Sequence, residues 1–336
     1  MIGKHRVNQF FAFGVMACLD LKPPLHLSRR IAYLSAASWC LASALSAQDL
    51  APRAYVISPL HSNAFTLTYS FYKGDILLDG ALPVNNATGS ISIPTFTYYH
   101  SFDFLGRSAN IVASLPYGVG DFHGNVVAST KTYAYRSGLM DSVFRFAINL
   151  KGGPAMNVEE FRKWTEKTVI GVSLKVIVPT GQYDSSRPLN WGTNRGSFKP
   201  EVGYSRRWGH WVLDGYGAVW LFTQNNTFFT FPPPAEQTQT EKPILACETH
   251  LSYDVKPRLW VSLDGNFWYG GRTTVGGVQN AHTLQSNSRI GLTLSAPFTK
   301  HQSLKLSYNA GAYINYGGDY HNVSLAWQYS WIGRPN

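Results

Sequence analysis

The closing stretch NVSLAWQYSW, Asn322 to Trp331, decides the fold class because its side chains alternate with a period of two. Large apolar side chains take every second position, and small or polar ones lie between them. This period indicates a β-strand with one apolar and one polar face. The same alternation recurs at 65–71, 144–149, 261–269, 289–296 and 304–311. The chain is therefore predicted to be all-β.

The polar face of these segments separates a soluble sheet from a membrane barrel. It consists mainly of Ser, Thr, Gly and Asn, whereas the exposed face of a soluble β-sandwich carries many charges. Charged residues make up 14% of the 336-residue chain, against about 25% in soluble domains. An apolar face towards lipid and a small, polar face towards a lumen are typical of a transmembrane antiparallel β-barrel, which is the fold we predict.

The N-terminal region is predicted to serve export. Its longest mostly apolar run, Ile31 to Leu45, has 15 residues, which is short of the roughly 20 that a membrane-spanning helix needs. A basic patch precedes this run and small residues follow it, as in a secretory signal peptide. We therefore expect four parts: an N-terminal extension with a signal peptide, a periplasmic leader, an outer-membrane barrel and a C-terminal tail (1–47, 48–62, 63–331, 332–336).

Connection lengths support a barrel of the outer membrane of a Gram-negative bacterium. Long connections at 181–195, 224–242 and 271–287 alternate with tight turns near Gly209, Lys256-Pro257 and Thr299-Lys300, as in barrels with short periplasmic turns. About thirteen strand-like segments can be counted, whereas bacterial barrels have an even number. We predict about twelve strands, with fourteen as the alternative. The ambiguity lies at 90–150, where candidate turns fall at 105–106, 118–120 and 137–138.

A short helix is predicted near 157–165, because Asn157 is a suitable N-cap and Glu160 follows three positions later. Six aromatic residues close to strand ends are expected to form the interfacial girdle of a membrane barrel. They are Trp208, Trp211, Trp260, Trp268, Tyr329 and Trp331.

Several strings carry a resemblance to a known family: PTGQYD at 179–184, LNWGTNRGSFKPEVGYSRRWGHW at 189–211, GGRTT at 270–274, QSNSR at 285–289, SLKLSY at 303–308 and AWQYSW at 326–331. They resemble the MetA-pathway of phenol degradation family, over roughly residues 50–331. The resemblance implies an outer-membrane β-barrel that passes small, hydrophobic or aromatic molecules, and it supplies no catalytic or binding residues. The chain departs from usual barrels where Ile332 to Asn336 follows the last aromatic residue.

The alternation directs a set of polar and charged side chains into the lumen, because a charge facing hydrocarbon at mid-depth costs roughly 2–4 kcal/mol. The predicted pore-lining residues are Lys175, Lys199, Glu201, Glu248, His250, Asp264, Asn266, Arg289 and Lys305. Their mixed signs suit a constriction that selects solutes, and equally ion pairs that brace an occluded lumen. Lys199 and Glu201 are the preferred constriction residues. Arg195 and Arg272 are expected at the mouth, where packing of the loops is the alternative role.

Enzyme chemistry is not expected. The sequence has no HExxH, GxSxG or GxxxxGK[ST] motif and no Cys/His zinc spacing, so we predict no catalytic residues, metal or cofactor. The net charge of +10 falls to +6 without residues 1–47, and no run of Lys and Arg suggests nucleic-acid binding. The expected partners are outer-membrane lipid, small organic solutes and the barrel-assembly machinery. An outer-membrane enzyme acting on lipid or surface substrates and a structural barrel remain alternatives, and the oligomeric state stays open.

Overall fold

The computed structural model describes residues 50–77, 84–126, 130–187, 189–230 and 236–333, so the predicted signal peptide and the last three residues of the predicted tail lie outside the described residues. The first strands are β1 (Ser62–Leu77), β2 (Val84–Phe104), β3 (Arg107–Val126), β4 (Thr130–Leu139), β5 (Ser142–Lys151), β6 (Thr168–Val178), β7 (Ser197–Trp208) and β8 (Trp211–Phe222). The remaining strands are β9 (Asn225–Phe229), β10 (Glu236–Glu241), β11 (Ile244–Lys256), β12 (Leu259–Gly270), β13 (Thr273–Val275), β14 (Val278–Gln279), β15 (Gln285–Pro297), β16 (Gln302–Tyr313) and β17 (Gly317–Ile332).

Within the described ranges, twelve antiparallel strands close into a barrel, as predicted. Their order is β1, β2, β3, β5, β6, β7, β8, β11, β12, β15, β16 and β17. The barrel closes because β17 pairs with β1 in continuous register, from Ser62 opposite Ile332 to Leu77 opposite Gly317. Closure leaves no sheet edge to face lipid.

The thirteenth strand-like segment has a simple explanation. β4 and β5 both pair with β3, one with Tyr117–Val126 and the other with Ala109–Ser114, so they form one barrel strand interrupted at Met140-Asp141. The turn predicted at 118–120 is wrong, because Gly118 and Gly120 lie inside β3. A Cβ at Gly118 would lie 2.5 Å from the ring of Trp191, so glycine is needed there for the close approach of that ring.

The two faces of the barrel wall are inverted relative to a soluble protein. In β7, buried and exposed positions alternate strictly from Ser197 to Arg206. The buried positions include Lys199 and Glu201, while Phe198 and Val202 are exposed. Apolar side chains therefore cover the outside of the wall and polar ones cover the lumen, as a barrel in lipid requires. No helix within the described ranges is long and apolar enough to cross a membrane.

The two ends of the barrel differ. One end, here called the short-turn end, carries the tight turns at 105–106, 209–210 and 257–258. It also carries the helix α1 (Val158–Lys163), where Asn157 and Glu160 form the predicted capping box. The other end, the long-loop end, carries the connections at 179–196, 223–243 and 271–284, part of which form the four-stranded sheet of β9, β10, β13 and β14. Short turns face the periplasm in bacterial barrels.

The predicted aromatic girdle is correct for Trp208, Trp211 and Tyr329, whose side chains are exposed on the outside of the wall. It is wrong for Trp268, which is fully buried and donates a hydrogen bond from Nε1 to Oε1 of Gln285 at 2.8 Å. It is also wrong for Trp260, whose ring lies under the guanidinium group of Arg53. Both residues occupy lumen-facing positions of β12, so the strand period outweighs their position near a strand end.

Candidate functional site

The lumen contains a cavity of about 710 Å³, and its wall includes five of the nine predicted pore-lining residues. These are Lys175, Lys199, Glu201, Glu248 and Lys305. Lys199, Glu201 and Glu248 are buried from bulk solvent, whereas Lys305 is exposed within the cavity near the short-turn end. The cavity is also lined by residues that precede the first strand.

The segment at 50–61, expected to belong to a periplasmic leader, runs inside the barrel wall. Its central residue, Tyr55, is 1% exposed and places its hydroxyl 2.9 Å from Oε1 of Glu201 and 3.1 Å from Oγ of Ser173. Gly171 and Gly203 lie opposite each other on β6 and β7 and form a slot for the ring. A Cβ would lie 2.4 Å from the Tyr55 ring at Gly171 and 2.1 Å from it at Gly203.

Backbone and charge contacts hold the same segment against the next three strands of the wall, β8, β11 and β12. The amide of Arg53 donates to Oδ2 of Asp214 at 3.1 Å, and the amide of Ala54 donates to the hydroxyl of Tyr216 at 3.0 Å. The guanidinium group of Arg53 lies 2.7 Å from the carboxylate of Asp254 and 4.5 Å from the centroid of the Trp260 ring. The segment therefore lies along five consecutive strands of the wall, β6, β7, β8, β11 and β12. We call residues 50–61 the plug segment.

The two preferred constriction residues form one buried ion cluster with a third. The amino group of Lys199 lies 2.9 Å from Oε2 of Glu201 and 2.8 Å from Oε1 of Glu248. Because Tyr55 donates to Glu201, the plug segment contacts this cluster directly. These residues line the cavity, and they are ion-paired within β7 and from β7 to β11.

The other four predicted pore-lining residues lie in the inner wall with partners of their own. His250 is fully buried, with Nδ1 2.9 Å from Oδ1 of Asp264 and Nε2 3.6 Å from Oε2 of Glu248. Arg289 donates to Oδ1 of Asn309 at 3.1 Å and to the carbonyl of Tyr320, which ties β15 to β16 and β17. Asn266 is 7% exposed and lies opposite Arg289 in the register of β12 and β15.

The two arginines expected at the mouth lie in the long-loop end. Arg195 is 4% exposed, forms an ion pair with Glu241 of β10 and covers the ring of Phe222 at 4.6 Å. Complete burial raises the pKa of the Glu241 carboxyl above its ordinary value, and Arg195 opposes that rise. Arg272 is half-buried, and its carbonyl accepts a hydrogen bond from the amide of Lys242. Arg195 therefore packs the loop sheet against the barrel.

An apolar cluster covers the inner wall towards the long-loop end. Its buried members come from β1, β2, β3, β17 and the loop after β6: Ile76, Ala87, Ile91, Ile93, Phe122, Leu189, Trp191 and Tyr320. The loop is held in place by Asp141, whose carboxylate accepts hydrogen bonds from the amides of Gly181 and Thr193, each at 2.9 Å. The lumen thus has an apolar part towards the long-loop end and a charged part at the cavity that Lys199 lines.

Three residues that sequence reasoning did not select contribute to the site. Arg145 faces the cavity from β5, where the alternation between Phe144 and Phe146 already placed it on the inner face. Tyr216 faces the cavity from β8 and accepts a plug-segment amide. Tyr55 lies in a segment without strand or helix periodicity, so no pattern in the sequence indicated its role.

The polar residues of the described lumen do not form a nucleophile and base pair at His250. The hydroxyl of Ser262 donates to Oδ1 of Asp264 at 2.6 Å. The same carboxylate oxygen lies 2.9 Å from Nδ1 of His250. Among the described residues, no group of three or more His, Cys, Asp or Glu side chains could hold a metal ion. The arrangement orients side chains within the wall and offers charged groups to the cavity.

The fold is similar to solved outer-membrane structures. The COG4313 outer membrane channel from Pseudomonas putida F1 superposes with a TM-score of 0.67 at 15% identity, covering 84% of this chain and 100% of that chain. The transport unit of the autotransporter AIDA-I from Escherichia coli superposes with a TM-score of 0.50 at 9% identity, covering 91% and 99% of the two chains. At these identities the similarity establishes the fold, an outer-membrane type of β-barrel.

At the level of sequence, a comparison with curated proteins gives no match. The family model described as "Putative MetA-pathway of phenol degradation" matches residues 78–312, which is more than half of the chain. The match spans β2 to β16 and includes the Lys199 cluster and the loop that carries Trp191. The chain therefore belongs to the Putative MetA-pathway of phenol degradation family.

Proposed function

We propose that this outer-membrane barrel is a passive channel or facilitator for small organic solutes, hydrophobic or aromatic in character. The observation that supports this most strongly is a cavity in the lumen beside a segment that belongs to no barrel strand. The barrel wall encloses a cavity of about 710 Å³, and the plug segment, which belongs to no barrel strand, fills the space beside it. Because only non-covalent contacts hold the plug segment in the lumen, this segment can move and open the lumen without any change in the barrel wall.

The side chains of the lumen support organic solutes. Ile91, Phe122 and Trp191 give the lumen an apolar surface towards the long-loop end. The ion cluster of Lys199 lies further along the same lumen. An apolar solute can contact the first surface before it reaches the charged part. The family name, which refers to phenol degradation, agrees with solutes of this kind.

We extend this proposal to the N-terminal segment of the mature chain. Removal of residues 1–47 on export would leave a mature chain whose first described residues already lie in the lumen. Leu50 reaches within 3.3 Å of the position that a Cβ of Gly291 would take on β15. The mature N-terminal segment would then act as the closing element, while residues 62–332 form the wall.

Swelling of proteoliposomes tests the proposal. The refolded mature protein is incorporated into liposomes, which are diluted into isosmotic arbutin, a phenolic glucoside that crosses bare bilayers slowly. Faster swelling than in protein-free liposomes is expected, and swelling in arbutin should exceed that in a disaccharide of similar size. Equal rates with and without protein, from a barrel shown to be folded by its heat-modifiable mobility on a gel, would contradict a channel for organic solutes.

A further inference from the structure

Three cationic side chains stand in one row across neighbouring strands of the lumen. Arg145 of β5 lies opposite Lys175 of β6, and Lys175 lies opposite Lys199 of β7. All three line the same cavity. Like charges directly opposite each other on adjacent strands destabilise a sheet. A row of this kind is therefore retained at a cost to the wall, and an anion placed against it would relieve that cost.

The carboxylates near the row do not balance its charge. Glu201 is shared, because it lies 2.9 Å from the amino group of Lys199 and 3.9 Å from the guanidinium group of Arg145. Glu248 is the second carboxylate on the cavity wall. Apart from Arg53, which pairs with Asp254, the described lining residues include four cations and two carboxylates (Arg145, Lys175, Lys199 and Lys305; Glu201 and Glu248). The cavity therefore carries a surplus of positive charge, which favours anions.

Aromatic faces border the row at both sides. The ring centroid of Trp220 lies 6.0 Å from the amino group of Lys175 and 5.7 Å from that of Lys199. The guanidinium group of Arg145 lies 4.9 Å from the centroid of the Tyr55 ring. The buried indole N–H of Trp220 has no hydrogen-bond acceptor among the described residues. Charged donors beside aromatic faces match a ligand that joins a carboxylate to an aromatic ring.

We infer that the Arg145–Lys175–Lys199 row is a binding site for small aromatic carboxylates in the lumen. The inference rests on the proposed transport of organic solutes and names their class. The carboxylate lies against the row, with Lys175 at its centre, and the ring lies towards Trp220. The site selects aromatic acids over neutral molecules of the same shape.

Isothermal titration of the refolded protein with benzoate tests the site, and benzamide provides a ligand of nearly the same shape without the charge. Benzoate should bind, and benzamide should bind at least about tenfold more weakly, since one charge-assisted contact is lost. Lys175→Gln should weaken benzoate binding about tenfold, while Lys175→Arg should retain it. Lys163→Gln removes the same charge from the exposed surface of α1 and should leave binding unchanged. If Lys175→Gln does not fold, Arg145→Gln replaces it.

Equal affinity for benzoate and benzamide, or benzoate binding that is the same in Lys175→Gln and Lys163→Gln, would overturn the inference. The readout is independent of transport. A protein that conducts but does not distinguish the two ligands refutes the carboxylate site and leaves the channel standing. A protein that binds benzoate in this way but allows no solute flux supports the site and refutes the channel.

Discussion

The hydroxyl of Tyr55 donates a hydrogen bond to Oε1 of Glu201 at 2.9 Å, across 146 positions of the chain. This contact joins the plug segment to the ion cluster that Glu201 forms with Lys199. The position of the plug segment and the arrangement of charges in the lumen are therefore coupled through one carboxylate. A change that moves Tyr55 alters the surroundings of the cluster, and a change in the cluster loosens the plug segment.

The glycine slot under Tyr55 gives the first prediction. In Gly203→Ala the new Cβ would lie 2.1 Å from the Tyr55 ring, so the ring must leave its slot. The amides of Arg53 and Ala54, which donate to Asp214 and Tyr216, should then exchange with deuterium faster than in the unmodified protein. Gly215→Ala is the matched control, because nothing lies within 4 Å of its Cβ position. Equal exchange in both variants would refute the slot.

The ion pair of Arg53 with Asp254 gives the second prediction. Arg53→Ala removes the 2.7 Å ion pair with Asp254 and the contact of the guanidinium group with the Trp260 ring. Together these contacts stabilise the seated plug segment by on the order of 1–3 kcal/mol. The equilibrium between closed and open lumen should shift by roughly five- to 150-fold, seen as a higher open probability in planar bilayers. Asp254→Asn should act in the same direction. The double variant should show less than the sum of the two effects, and strict additivity would speak against the pair.

The Lys199 cluster gives the third prediction. Lys199→Ala should shift ion selectivity towards cations, because Glu201 and Glu248 lose the positive group that lies within 3 Å of each. Glu201→Ala should shift selectivity towards anions, because Lys199 and Arg145 lose a shared carboxylate. The measurement is the reversal potential in a KCl gradient. Unchanged selectivity in both variants would remove these residues from the pore lining.

Asp141 gives the fourth prediction, at the interruption between β4 and β5. Its carboxylate accepts from the amides of Gly181 and Thr193 and from the Thr193 hydroxyl, which holds the loop that carries Trp191. Asp141→Ala should release this loop and speed chymotryptic cleavage after Trp191, which is buried in the apolar cluster. Asp103→Ala, which removes a carboxylate that accepts one amide at the short-turn end, should leave that cleavage unchanged. The same rate in both variants would show that Asp141 does not anchor the loop.

The fold could be predicted from the sequence because a lipid-facing strand leaves a simple signature. Alternation within each strand also indicates which side chains face the lumen, and in β7 it placed Lys199 and Glu201 on the inner face, where they are buried. The strand count was ambiguous because Gly118 and Gly120 resemble a turn. They are in fact the surface on which Trp191 packs.

The site could be predicted only in part. Alternation places His250 and Arg289 on the inner face. It does not predict the hydrogen bonds that hold these two side chains within the wall. The cationic row depends on the register between β5, β6 and β7, which the sequence of each strand does not specify. The position of Tyr55 depends on two glycines more than 100 residues away, so it required the structure.

Single-channel recording of the refolded mature protein in planar bilayers tests the central claim most directly, that a lumen able to conduct is closed by the plug segment. The unmodified protein should show brief or small conductance steps. Tyr55→Ala, which loses the contacts with Glu201 and Ser173 and empties the slot, should show larger and longer ones. The contradicting result is a folded Tyr55→Ala barrel that is silent, or whose steps are the same as those of the unmodified protein.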